Sequence, residues 1–366
     1  YTSTNTGITF TKANLVDCGN AVLSYGQIHA KNNPTTQINH ELIRFIPDSL
    51  VNDKLSSKVK QGDFIFADTS EDLKGCGNCI NEPIDLYAGY HTILLRNEGL
   101  GCGKYFAYLF MSDQWRSQIR KKVKSVKLYS ITQGILKQAF IVVPPIKEQE
   151  AIAAYLDKEC EKIGRKIELL ERKADAYSRL RRSLINRAVT RGLDPNVSLK
   201  PSGNNWIGDI PQHWGYERVE KYFHNNTSYN KDFQYKHAFK FFKGTIIHKD
   251  ETFEEDEYQD TYEKYTIVEP NDIIINGLNL NYDLKSMRVG KVTENGIITS
   301  AYIVLRPYNN VCSDFFNYLF KAFDYRKFFH GMGKGIRLTL SFNELRYFEI
   351  PVPPIDEQKK IAAYLD

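Results

Sequence analysis

VVPPIKEQEAIAAYLD occupies residues 142–157, and PVPPIDEQKKIAAYLD closes the chain at 351–366. At an offset of 209, thirteen of the seventeen positions from Ile141 to Asp157 match Ile350 to Asp366. Working backwards, VKQGDFIFA (59–67) answers VEPNDIIIN (268–276), each a polar turn running into a β-prone apolar strand. TILLR (92–96) answers YIVLR (302–306), and KYFAYLF (104–110) answers DFFNYLF (314–320) at helical spacing. Each copy then passes through VKL (126–128) or IRL (336–338) to the Pro-Pro phrase. The chain is therefore a tandem duplication, with a period far too long for a solenoid.

The residues after Pro145 decide the architecture. Proline ends the extended run because it cannot donate to a sheet ladder. From Lys147 to Arg191 there is no further proline and the only glycine is Gly164. Leu156, Ile163, Leu170, Tyr177 and Leu184 recur every seven residues. Ala153, Cys160, Ile167, Ala174 and Ala188 take the second seam position, with Arg181 as a polar exception. That pattern predicts a coiled-coil helix, roughly 65 Å long at 1.5 Å per residue. Gly192 and Pro195 stop it, and the polar stretch after them reads as a linker. The fold class expected is α/β: a tandem duplication of two mixed α/β domains joined by a long coiled-coil helix. The expected boundaries are a first domain over 1–146, the helix over 147–192, a linker over 193–205, a second domain over 206–355 and the start of a second helix over 356–366. The chain opens on Tyr1 rather than Met, so further N-terminal residues are expected in the natural protein.

Composition narrows the function. The 366 residues carry a net charge of +5, which permits nucleic-acid binding without demanding it. No apolar run is long enough to span a bilayer, and no secretory signal opens the chain. Six irregularly spaced cysteines read as a reduced, cytoplasmic protein. Cys76 and Cys79, with His91 and Cys102 beyond, supply only one close pair, so incidental thiols are expected rather than a metal site. No phosphate loop, dinucleotide fingerprint, nucleophile elbow or HExxH appears. The reading is a chain with no catalytic residues, no cofactor, no metal and no small-molecule substrate.

The phrases PPIKEQEAIAAYLDKE, IELLERKADAYSRLRRSLINRAVTRGLDP and WIGDIPQHW together resemble the specificity subunit of type I restriction–modification systems. The resemblance covers essentially the whole chain. It implies two target recognition domains, each reading half of a split sequence in double-stranded DNA. It also implies paired helices that space the domains, two methyltransferase subunits docked on that frame, and restriction subunits that complete the nuclease. The chain departs from the family in stopping its second helix at Asp366 and in lacking a first-copy counterpart of WIGDIPQHW. A fused restriction–methylation enzyme whose catalytic domain lies outside this chain is the rival reading, and a protein-binding coiled-coil scaffold is a third.

Base reading needs donors and acceptors on loops, with Lys and Arg to hold phosphates. The first copy offers Tyr25, Gln27, His29, Ser70, Lys124, Lys127 and Tyr129. The second offers Lys243, Thr245, His248, Asn276, Asn279, Arg288, Lys334, Arg337 and Thr339. Lys124, Lys127, Lys334 and Arg337 carry most weight, because they fall at matching places in both copies. Leu156, Ile163, Ile167, Leu170, Tyr177 and Leu184 are the expected helix-pairing residues.

Overall fold

The computed structural model describes residues 2–4, 7–28, 36–52, 54–70, 78–79, 84–99, 101–123, 129–231, 233–242, 244–249, 259–282 and 287–366. Two compact units divide the chain, Tyr1–Leu169 and Leu170–Asp366.

The first unit is framed by strands β1 (Thr2–Thr4), β2 (Phe64–Ala67), β3 (Asn78–Cys79) and β4 (Thr92–Arg96), then helix α1 (Gly103–Met111). Helix α2 (Ile146–Arg191) comes after the Pro-Pro phrase and runs on into the second unit. That unit repeats the plan with β5 (Phe223–Asn225), β6 (Ile273–Ile275), β7 (Val289–Lys291), β8 (Ile303–Pro307), α3 (Ser313–Tyr325) and α4 (Ile355–Leu365). The first sheet has strand order β1-β4-β2-β3 and the second β5-β8-β6-β7, the same order with every pairing antiparallel. The registers match too: Phe64, Ile65 and Phe66 face Leu95, Leu94 and Ile93, as Ile273, Ile274 and Ile275 face Leu305, Val304 and Ile303.

Both central strands are apolar at every position because both of their faces are covered. Phe64 and Phe66 enter one core with Phe106, Phe110 and Trp115, whereas Ile65 and Ala67 enter another with Leu23 and Leu86. In the second unit Ile273 and Ile275 pack with Phe316 and Phe320, and Ile274 with Phe239 and Ile298. The helix-side layers are alike. The opposite layers differ: Asn20–Leu23 between Arg44–Ile46 and a parallel Leu86–Ala88 in the first unit, two separate hairpin-like pairs in the second.

Two polar devices recur in both copies. Asp63 and Arg96 form a nearly buried ion pair at 2.6 Å, and Arg96 also donates to the carbonyls of Ser56 and Lys58. Asp272 and Arg306 make the bidentate counterpart at 3.0 and 2.8 Å. In each copy the same carboxylate accepts a backbone N–H from the turn before it, from Lys60 or Glu269. The second device explains the repeated glutamine. Gln149, 2% exposed, accepts from the Cys102 N–H at 2.9 Å and donates to the Pro144 carbonyl at 2.7 Å. Gln358, equally buried, does the same with Cys312 and Pro353 at 3.1 and 2.8 Å. Cys102 and Cys312 are the N-caps of α1 and α3. One side chain thus ties the start of one helix to the proline stop before the next.

A tyrosine closes each device. Tyr108 donates to Asp157 at 2.8 Å and Tyr318 to Asp366 at 2.9 Å. Burial first, and then the neighbouring carboxylate, pushes the Tyr318 hydroxyl up to about 12. The same causes push Tyr108 up as well.

Helix α2 is not free-standing along its whole length. Ala153 is buried in the first unit's core, and Ile185, Ala188 and Val189 in the second's. Between these ends Ile163, Ile167, Leu170, Tyr177 and Leu184 are exposed, while Leu156 is half-buried. The 193–205 stretch is more than a linker. Leu199–Pro201 pairs with Asp209–Pro211, and Lys200 donates to the Trp214 carbonyl at 2.7 Å, because the chain folds back around the buried Trp214.

Candidate nucleic-acid interface

Of the first-copy candidates, His29, Lys124 and Lys127 lie outside the described residues. Tyr25, Ser70 and Tyr129 gather around Asp68. Tyr25 and Gln27 sit on the short helical turn Tyr25–Ile28, where Gln27 accepts from the Ser24 N–H at 3.0 Å. The Tyr25 ring meets Tyr90 and His91 edge-on, each at 5.6 Å. His91 bonds Asp68 at 3.1 Å, and Asp68 leads directly into Thr69–Ser70. Ser70 pairs with Tyr129, and the Ile131 N–H closes the ladder on the Asp68 carbonyl at 2.7 Å. Tyr25, Ser70 and Tyr129 are thereby drawn to one locality through His91 and Asp68. In sequence His91 reads only as a candidate metal ligand. Its left-handed backbone, φ 57°, marks the tight turn that brings it here.

In the second copy Lys243 is outside the described residues. Thr245 and His248 lie on a hairpin, Phe239–Phe242 against Thr245–His248. Thr245 ties the turn through the Phe242 carbonyl at 2.7 Å, and His248 bonds Glu294 at 2.8 Å. The hairpin packs against β7: a Cβ on Gly290 would stand 3.1 Å from Ile246.

Two more loops are zipped together. The backbones of Lys334 and Thr339 bond each other at 3.0 and 2.9 Å, forming a small hairpin with Gly335 at φ 76°. The Leu280 N–H reaches the Leu338 carbonyl at 3.1 Å, the Leu340 N–H reaches Gly277 at 2.9 Å, and the Asn281 amide holds the Ile336 carbonyl at 2.9 Å. Asn276 caps its own turn through the Leu278 N–H at 3.1 Å, and Asn279 is left-handed at φ 50°. Asn276, Asn279, Lys334, Arg337 and Thr339 are thus brought together. Arg337 is exposed, while Lys334 leans on Glu344 at 3.2 Å. Serine contacts, led by the Ser341 hydroxyl, hold the Glu344 carboxyl below its usual range.

Arg288 is a correction. It is 2% exposed, and its guanidinium donates to the carbonyls of Asn276 and Leu278 at 3.2 and 2.7 Å. Its N–H donates to Asp324 at 2.5 Å, and burial pushes that carboxyl up. Arg288 braces the Asn276–Asn279 turn from below instead of facing a base. A basic residue beside a polar loop looks the same in sequence whether it points in or out. Conversely, Ile336 at 94% and Tyr282 at 74% exposure stand on the loops beside Arg337, and nothing in the sequence separates them from core residues. Aromatic and apolar side chains at a loop tip can pack on thymine methyls or unstack a base step.

Among the described residues, no three His, Cys, Asp or Glu side chains are grouped to hold a metal, and no helix is long and apolar enough to cross a membrane.

Comparison with known proteins finds the same duplication. The profile of the type I restriction modification DNA specificity domain matches residues 12–173 and again 208–366. A putative type I restriction enzyme MjaX specificity subunit of Methanocaldococcus jannaschii is 22% identical over 342 residues, spanning 88% of this chain and 75% of that protein. The crystal structure of an HsdS subunit from Thermoanaerobacter tengcongensis aligns at TM-score 0.54 and 15% identity, covering 94% of this chain and 81% of that one. A structure from a study of type I restriction–modification complex assembly and conformational transition aligns at TM-score 0.64 and 18% identity, covering 94% and 82%.

Proposed function

This chain belongs to the type I restriction modification DNA specificity family, and from that premise we propose that it reads a two-part sequence in double-stranded DNA, one half with each unit. The observation that carries the reading is the pair of family domains in one chain, on frameworks with the same strand order and register. A duplicated reader suits a split target, because two similar surfaces on a fixed spacer select both the half-sites and the gap between them. In the first unit the contacts come from the loops around Tyr25, Ser70 and Tyr129, with Lys124 and Lys127 as phosphate holders. In the second they come from the hairpin carrying Thr245 and His248 and from the loops carrying Asn276, Asn279, Arg337 and Thr339. The chain is not itself an enzyme. It supplies sequence choice to two methyltransferase subunits, and restriction subunits join that complex. Helix α2, about 69 Å long by its 46 residues, serves as the ruler, and its exposed seam takes part in assembly.

Methylome mapping in the source cell with and without the gene tests this reading. A bipartite methylated motif should vanish when the gene is removed. Loss of a continuous motif, or of none, would refute it.

A further inference from the structure

One polar pocket of the second unit takes no part in the interface described above. It holds about 360 Å³ and opens between the end of α2, the loop 205–208 and the end of α3, all within Leu170–Asp366. Ser183, Asn186, Arg187, Thr190 and Arg191 line one wall, at the spacing that puts them on a single face of α2. Asn205 and Ile207 stand on a second wall and Arg326 on a third. The described lining residues include three arginines and no acid.

The guanidiniums of Arg187 and Arg191 are exposed and have no ion pair or hydrogen bond among the described residues. Arg326 is already aimed. It donates to the Trp206 carbonyl and lies over the Trp206 ring, 5.9 Å from its centre. Those two contacts fix the planar fork and leave further N–H groups to give.

Helix ends answer part of this charge. Arg187 and Arg191 stand in the last two turns of α2, and Arg326 caps α3. Each helix C-terminus presents about half a negative charge, so two ends offset about one of the three guanidiniums. About two positive charges are left facing one small space. An oxyanion entering it meets several donors at once, and guanidiniums bond the paired oxygens of such a group two at a time.

The pocket's place in the fold says which oxyanion. Asp324, near the end of α3, accepts the Arg288 N–H, and Arg288 braces the Asn276–Asn279 turn. Arg326 follows two residues later. Phe328, which meets the Trp206 ring edge-on at 5.5 Å, begins the short turn Phe328–Gly331 that runs on towards the Lys334–Thr339 hairpin. The pocket and the candidate reading loops therefore sit at one end of α3. A protein's carboxylate is the other anion of this kind, but the core of a protein interface is apolar, and of the described lining residues only Ile207 is.

We propose that this pocket grips a backbone phosphate of the duplex beside the second half-site, with Arg187, Arg191 and Arg326 as its donors. The proposal rests on the DNA-reading function given above and adds a contact that carries no base information: it fixes where the second unit stands on the duplex.

Titration of a mixed-sequence duplex with the whole chain, followed by fluorescence anisotropy between about 50 and 200 mM salt, tests the site. Arg187→Gln and Arg191→Gln alter exposed side chains, so thermal stability should hold. Each should weaken binding several-fold on every sequence alike and lower the salt slope by about 1. Uncharged methylphosphonate, stepped one phosphate at a time through a target duplex, should at one position weaken the parent chain and leave Arg187→Gln no weaker than before. A parent chain that binds no duplex would refute the DNA reading and this site with it. A parent that binds, with both variants matching it in affinity and slope, would overturn the site alone. So would a loss confined to one base sequence, or a loss of methyltransferase-subunit association with DNA affinity intact, which would give the pocket to a protein.

Discussion

Replacing Gln149 or Gln358 by Met keeps length and most of the volume, so little cavity is created. The loss is specific. In the first unit the Cys102 N–H and the Pro144 carbonyl are left without their partner; in the second, Cys312 and Pro353. Each buried backbone group left unpaired costs about 1–3 kcal/mol, so two cost about 2–6. The amide's own burial penalty disappears with it, which returns about 1–3 kcal/mol. A net loss of about 2–3 kcal/mol is expected, against a domain stability of about 5–15. Because each unit has its own core, one global midpoint would mix two transitions. Hydrogen exchange at Phe64–Ala67 and Ile273–Ile275 reads the units separately. Gln149→Met should speed exchange at the first strand by about 30- to 150-fold and leave the second unchanged, and Gln358→Met should do the reverse. Gln→Glu should be worse at neutral pH, because an ionised carboxylate can accept from cysteine but cannot donate to proline, and it should recover in acid. A loss below about 0.5 kcal/mol in both Met variants would show that the repeated glutamine does not hold the helices together.

Other outcomes rest on the candidate interface and the paired tyrosines. Arg337→Ala should weaken duplex binding without changing thermal stability; if it contacts a base, the loss should be about 1–3 kcal/mol and confined to one half-site, as competition between half-site variants would show. Arg288→Ala should lower stability by about 2–4 kcal/mol in urea titration, because the carbonyls of Asn276 and Leu278 lose their buried donor. Any weakening of DNA binding in that variant should disappear once the fraction folded is taken into account. Tyr318 titrates higher in the fold than when unfolded, so its stabilising effect is complete below pH 10 and lost as pH rises towards about 12. Tyr318→Phe should remove that alkaline dependence in pH-resolved unfolding of the second unit.

The duplication is plain in the sequence because its framework repeats as words: the Asp before each central strand, the arginine closing LLR or VLR, and the Pro-Pro-Ile and Glu-Gln phrase. The heptads of α2 are equally plain, since a long period-seven pattern has few other solutions. Strand order is not, because β2 pairs with β4 across a span whose closure leaves no local signature. Nor is the job of Gln149, whose partners lie five and 47 residues away. Arg288 misleads for a related reason: burial is decided by what packs above a loop. The His91–Asp68 contact that gathers Tyr25 and Ser70 depends on a left-handed turn at a residue that seldom adopts one.

The unlike outer layers on the two identical frameworks bear on how such a protein can change. The glutamine ties and the helix-side cores lie on one side of each sheet, whereas the buried ion pairs stand at the ends of its two central strands. The hairpins and the mixed three-stranded sheet lie on the other. Mutations in the outer layer therefore meet few of the constraints that keep the fold standing. The two halves of one chain record the result: thirteen of seventeen residues are kept around the anchoring phrase, while the outer layers have diverged to different strand arrangements. Heredity can vary one surface freely because another surface carries the obligation to fold.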